Sequence, residues 1–224
     1  MALVITLVLE AATYAGSVAL INVDRVLAER SVAMRDRDHE ALMPAVAEVL
    51  AEAAVPIGRV ERIVCGAGPG SFTSLRIAGG IAKGLALAGG IPLVPLSSLA
   101  LLVASRGGLE PGRYLGAIDA LRSEHYVAMF EVDAIGELSP ATGVSLVPSA
   151  ELGDFASRMD ARLVAAGATS AGPIAPHARA GVWLTKLIDA TPAADLASWE
   201  PAYGRLAEAQ VKWEATHGRP LAGA

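Results

Sequence analysis

The chain carries its opening pattern twice, and this repeat restricts the architecture more than any other feature of it. Residues 5–24, ITLVLEAATYAGSVALINVD, read as an apolar strand, a turn and a second apolar strand, and residues 114–133, YLGAIDALRSEHYVAMFEVD, read the same way. Laid over each other, they put Asp119 on Glu10 and Asp133 on Asp24, with the two acids of each copy fourteen residues apart. Later, ARLVAAGATSAG matches VERIVCGAGPGS, an apolar strand running into a glycine-bearing turn. Chance alternation could mimic part of this, but the shared spacing favours an internal duplication.

Between the copies the pattern changes from strand to helix. VLAERSV alternates as a third strand, antiparallel to the first two. Asp36 and Asp38 offer N-caps to HEALMPAVAEVLAEAAV, where Leu42, Val46, Val49 and Ala53 make one stripe and Met43, Ala47, Leu50 and Ala54 a second beside it. That apolar arc is wider than one sheet contact requires. VERIVCGA reads as a fourth strand, SLRIAGGIAKGLALA as a second helix and IPLVPLSS as a fifth strand, the order βββαβαβ. A helical run from Leu99 to Ser105 then leads to RGGLEPGR, the best linker candidate.

The expected fold is therefore α/β, with two similar βββαβα lobes on mixed sheets, in domains 1–106 and 107–224, of actin-like or ribonuclease H-like architecture. In the second copy the helical part is shorter in pattern. A helix predicted from Tyr203 onward closes the chain, and the sequence assigns it to neither lobe.

Charge and cysteine content narrow the function. A formal net charge of −5 argues against a protein that grips nucleic acid through its own surface. The single cysteine, Cys65, excludes an internal disulfide and reads as a small buried hydrophobe ending a strand. The apolar N-terminal stretch is broken by Glu10, Thr13 and Gly16 before it reaches membrane-spanning length, so a cytoplasmic protein without membrane contact is expected.

CGAGPGSFTSLRIAGGIAKG, residues 65–84, has the look of a phosphate loop and fails its chemical tests. A dinucleotide fingerprint wants G-x-G-x-x-G and an acid after the next strand; here Ser71 stands at the third glycine, and IPLVPLSS carries no acid. A Walker loop wants a lysine directly after its last glycine, whereas Lys83 lies three turns down the helix. The residues fit a sharp strand-to-helix turn capped by Ser71 or Thr73, followed by a helix almost without bulk. Each mid-helix glycine costs roughly 1 kcal/mol relative to alanine, and close approach of another backbone is the natural compensation. A weak nucleotide site at the helix N-terminus stays open. His39, His125, His177 and His217 are scattered without metal-ligand spacing, and the acids of DHE at 38–40 read as helix-terminal. Glu10 and Asp119 end their strands where actin-like ATPases keep a phosphate-loop or metal-coordinating acid, but Ala11 and Ala12 remove the hydroxyls such a loop uses. Asp119 with Arg122, Ser123 and Glu124 reads as the stabiliser of its own hairpin turn.

GAGPGSFTSLRIAGGIAKGLALAGGIPLVPLSSLALL resembles the signature of the TsaB (YeaZ) family, the dimerisation subunit of the bacterial machinery that makes N6-threonylcarbamoyladenosine in tRNA. The family's run of glycine, proline, glycine, serine, phenylalanine and threonine falls on residues 68–73, followed by Leu75, Arg76 and Ile77. Asp119, Arg122, Glu124 and Tyr126 resemble its second hallmark, and EPAYGRLAEAQVKWE its C-terminal segment; the similarity runs from Leu3 to Glu214. LEAAT departs from the family's usual Asp-Thr-Ser-like start and weakens any nucleotide site in the first lobe.

The resemblance implies an actin-like (ASKHA) fold and a noncatalytic, degenerate paralogue that binds the catalytic subunit TsaD, with the ATPase TsaE joining. ATP and metal would then belong to the partner, no cofactor to this chain alone, and tRNA would be met only through the complex. Alone, the chain is expected to form a homodimer. The implied partner-binding residues are His39, Leu42, Met43, Val46 and Leu50 on the first helix, with Phe72, Leu75, Arg76, Gly79, Ala82 and Lys83 on or leading into the second. Gly68, Gly70, Ser71 and Thr73 form a vestigial loop. The alternative is a stand-alone ATPase or peptidase-like enzyme of the actin-like superfamily, which rests on fold resemblance alone.

Overall fold

A strand that is apolar on both faces has to lie inside a sheet with layers on either side, and Ile5–Glu10 (β1) is such a strand. In the computed structural model, which describes residues 4–35, 40–169, 172–204 and 216, Leu7 and Leu9 of β1 are buried on one face and Thr6, Val8 and Glu10 on the other. β1 pairs antiparallel with Ala15–Asn22 (β2), which pairs with Arg25–Ala33 (β3). On its other edge β1 runs parallel to Arg62–Gly66 (β4), which runs parallel to Leu93–Leu96 (β5), so the sheet order is β3-β2-β1-β4-β5. Leu42–Glu52 (α1) and Phe72–Gly89 (α2) pack on the Leu7 and Leu9 face.

The repeat returns in the second sheet. Gly112–Asp119 (β6) and Glu124–Val132 (β7) form a hairpin like β1 and β2, with Asp119 opposite His125 as Glu10 is opposite Ser17. The third strand is split: Leu138–Pro140 (β8) pairs with one half of β7 and Ser145–Pro148 (β9) with the other. Pro140 lacks the N–H that would carry the ladder onward. Leu152–Arg158 (α4) covers the outer face, and Arg162–Ala165 (β10) runs parallel to β6, as β4 does to β1.

Ser98–Ser105 (α3) lies between the sheets. Each of its residues from Ser98 to Ala104 is buried, as suits a helix apolar all round, and its cluster joins Val8, Ile21 and Val64 of the first sheet to Tyr114, Ile118, Phe130 and Val164 of the second. The 3-10 helix Ala178–Trp183 packs on the same face of the first sheet, with Gly181 close to Val8 and Ile21.

The expected order βββαβαβ and the actin-like lobes hold, and the structure changes one detail of the second copy. After β10 the second copy forms a two-stranded ribbon, Gly167–Thr169 (β11) with Gly172–Ile174 (β12), where the first has a long helix. Gly167 at φ +124° suits a strand turn better than a helix. Thr185–Ala190 (α5) follows the 3-10 helix. Glu40 accepts from the first amides of α1, those of Leu42 and Met43; the proposed caps Asp36 and Asp38 lie outside the described residues, as does the helix predicted beyond Tyr203. No helix among the described residues is long and apolar enough to cross a membrane.

Contact between α3 and β6 depends on Gly116, where an added Cβ would stand 3.1 Å from Val103 and 3.2 Å from the Leu99 carbonyl oxygen. Gly116→Val is expected to destabilise the protein by about 2 kcal/mol through overpacking. Gly143→Val, at a site with nothing within 4 Å, should stay within about 0.5 kcal/mol. Urea denaturation of both variants checks the difference.

Candidate functional site

The glycine loop between β4 and α2 is closed by the chain itself. Ser71 N–H, the donor nearest the start of α2, gives its hydrogen bond to the Ala12 carbonyl at 2.7 Å, and Ala67 N–H donates to Leu96 O at 2.7 Å. The Ala67 carbonyl accepts from Ala202 N–H at 2.8 Å and the Gly68 carbonyl from Ser98 N–H at 3.0 Å. A Cβ at Gly70 would collide with the Ala12 carbonyl and one at Gly68 with the Ala202 carbonyl. These glycines therefore admit neighbouring backbone. Ser71 occupies the N-cap position without a capping hydrogen bond; its hydroxyl meets that of Ser74 at 3.0 Å. Thr73 is inside the helix and exposed, so neither residue caps α2 through its side chain as the sequence suggested.

Behind the loop sits a buried acid. The carboxyl group of Glu10, wholly buried, accepts from Ala12 N–H at 2.5 Å and from the Ser98 hydroxyl at 2.8 Å. Ser98 Oγ in turn accepts from Gly68 N–H at 3.1 Å. Burial pushes the Glu10 pKa up to about 7, against the opposing pull of the Ala12, Ser98 and Ala11 hydrogen bonds. Cys65, also fully buried, has its thiol pushed up by burial and by the neighbouring Glu10, which fits the inert strand-end residue read from sequence. Asp119, at the equivalent place in the second hairpin, is exposed and accepts from Leu121 N–H at 2.7 Å, within a turn whose residues Leu121, Arg122 and Ser123 all have positive φ.

The implied partner residues separate by burial. Leu42, Val46, Leu75 and Ala82 are 0% exposed and belong to the chain's own core, so as folded they present no side chain to a partner. Gly79 is also buried, because Pro201 lies 3.1 Å and Trp199 3.7 Å from where its Cβ would be. Lys83 donates from Nζ to the Trp199 carbonyl at 2.8 Å, and the Phe72 ring lies 4.5 Å from that of Tyr203. The close approach predicted for the small-residue helix thus occurs at Gly79, and its occupant is the chain's own segment 194–203, anchored at its start by Ala194 N–H on Leu93 O. Met43, Leu50 and Arg76 keep outward surface, with Met43 41% exposed. His39 lies outside the described residues.

What remains open on α2 is a second line: Thr73, Arg76, Gly80, Gly84 and Leu87, the last 76% exposed, with nothing among the described residues within 4 Å of a Cβ at either glycine. On α1, Met43 and Ala47 are exposed on the same side of the sheet. The sequence reading missed Ser98, Trp199, Pro201 and Ala202. Ser98 begins an otherwise apolar run, a place where a polar residue needs a buried partner, and this was the available signal. Pro201 and Ala202 lie in the EPAY stretch, but nothing local shows that they or Trp199 act on residues more than a hundred positions away.

Two mixed five-stranded sheets around a shared helix define an actin-like (ASKHA) fold. A family model described as TsaD, tRNA N6-adenosine threonylcarbamoyltransferase, matches residues 31–161. The Escherichia coli tRNA threonylcarbamoyladenosine biosynthesis protein TsaB is 36% identical over 132 residues, 58% of this chain and 56% of that protein. The Bacillus subtilis protein of the same name is 29% identical across 92% of this chain and 96% of its own length. A Pseudomonas aeruginosa structure described as an uncharacterized protein with similarity to peptidase YEAZ superposes with a TM-score of 0.74 at 28% identity, covering 90% of this chain and all of that one. The chain spans about half the length of the Haemophilus influenzae and Escherichia coli relatives it matches. It belongs to the family of that model, on the TsaB (YeaZ) branch.

The buried acid gives a pH test. Between the ordinary 4.5 and about 7 the folded chain keeps a proton that the unfolded chain has lost, so this group's contribution to stability falls as pH rises through that window and is flat above it. Glu10→Gln cannot ionise. Relative to the parent it should gain about 3 kcal/mol between pH 4.5 and 8, each pKa unit being worth about 1.4 kcal/mol. Chemical denaturation across that range measures the difference.

Proposed function

We propose that the chain is a noncatalytic subunit in the synthesis of N6-threonylcarbamoyladenosine in tRNA, binding and supporting the catalytic subunit TsaD, with the ATPase TsaE joining the complex. The single observation that carries this reading is the open line on α2, Arg76, Gly80, Gly84 and Leu87, beside the exposed Met43 and Ala47 of α1. Helices stripped of bulk allow a partner helix to approach closely, and a face of small and apolar residues that no described residue covers is the kind of surface that interfaces use. Family membership supports the choice of partner. Nucleotide and metal chemistry is assigned to TsaD, in keeping with a loop whose polar groups already serve Ala12, Leu96, Ser98 and Ala202. Contact with tRNA is made through the complex, as the net charge of −5 suggests. In isolation the same helices pair two copies of the chain.

Gly80→Arg places a long side chain on the open line and is expected to leave the chain folded, with urea stability unchanged or raised by up to about 1 kcal/mol as a helix glycine is removed. It should abolish co-elution with the organism's TsaD in size-exclusion chromatography. Ala82→Arg should instead destabilise the chain itself by about 3 kcal/mol, because that position is core. A Gly80→Arg chain that still co-elutes with TsaD would overturn the assigned face. Stoichiometric ATP turnover by the isolated chain with magnesium would overturn the noncatalytic role.

A further inference from the structure

Glu10 is the one buried carboxyl group of the described residues that neither the partner face nor the core packing explains. Its surroundings are a built receptor. Donors reach it from separate parts of the chain: the amide of Ala12 in the turn after β1, and the Ser98 hydroxyl at the start of α3. Gly68 N–H, from the glycine loop, holds that hydroxyl in place at 3.1 Å. The wall opposite is kept clear, since a Cβ at Gly66 would run into the Glu10 carboxylate and stand 3.0 Å from Ser98 Oγ. Convergent donors, a cleared wall and complete burial are what a binding site for a small acid provides, and here the acid is tethered to the chain.

We propose that the turn after β1, Ser98 and the glycine loop together form a site for one carboxyl group, which the chain fills with its own Glu10. The glycine loop is thereby closed from behind as well as by Ala12 and Ala202 in front. The ligand class is a small carboxylic acid, one carboxyl group accepting at both oxygens, and the site becomes accessible to free ligand only when the tether is cut.

Glu10→Ala cuts it. The variant is expected to melt below the parent and to recover in 10–100 mM sodium formate, taken as an order-of-magnitude range for a ligand of three heavy atoms. Equal sodium chloride should give no such recovery, nor should formate act on the parent or on Leu9→Ala, whose cavity lies on the other face of β1. Adding Ser98→Ala to Glu10→Ala should weaken the apparent formate affinity about tenfold, the effect of one charge-assisted hydrogen bond. A recovery no larger than that in chloride, or one unaffected by Ser98→Ala, would overturn the proposal. Should Glu10→Ala not fold, nuclear magnetic resonance of the parent decides. The Glu10 side-chain carboxyl carbon and the amide protons of Ala12 and Gly68 should titrate with one common midpoint, and amides that stay still while Glu10 titrates would overturn it.

Discussion

Both sheets depend on the burial of α3. Seven consecutive residues, Ser98–Ala104, are out of contact with water, and their side chains meet the inner face of each sheet at once. At roughly 25 cal/mol per Å² of apolar surface, a helix buried all round is among the more stabilising elements a chain of this size can contain. The arrangement needs small residues where backbones come near, which is the role of Gly116 on β6 and Gly181 in the 3-10 helix. It also leaves the start of α3 under the glycine loop, so that Ser98 joins the central helix to Glu10, and through Gly68 N–H to the segment that leads into α2.

The loop and the last described segment belong to the same construction. Segment 194–203 crosses the first lobe from β5 to the loop, tied by Ala194 to Leu93 and by Ala202 to Ala67. On its way it covers Gly79 with Trp199 and Pro201 and takes the ammonium group of Lys83. One face of α2 is thereby used inside the chain, and the face carrying Gly80, Gly84 and Leu87 is left outward. A helix of small residues can be approached from more than one side, and here the two sides serve different ends.

Much of this was legible in the sequence because its signals are local. Alternation in the two hairpins gave their strands and the matching positions of Glu10 and Asp119; periodicity gave α1 and α2; and the shared spacing gave the two lobes. Of the proposed site, the sequence named two helices and only some of the residues that stay outward on them. Leu42, Val46, Leu75 and Ala82 are buried in the chain's own core, because periodicity shows that an apolar stripe is buried without showing what buries it. Met43 and Arg76 lie on the other side of the same helices. Capping by Ser71 was an expectation from residue type, and its hydroxyl meets that of Ser74 in place of a helix amide. In the second copy, glycine and Pro140 interrupt the elements that the first copy completes, and the departure from strict repetition follows from their missing N–H and free φ.

By itself the sequence determined the elements, their order, the duplication and the failure of the loop as a dinucleotide or Walker motif, since each is set by residues within a few positions of one another. Only the tertiary structure decided what the loop holds and which face of α2 is free. Those outcomes rest on contacts between Glu10 and Ser98, Gly79 and Pro201, and Ala67 and Ala202. Such pairs are far apart in the chain and brought together only when α3 is buried between the sheets and the last segment folds back over the first lobe.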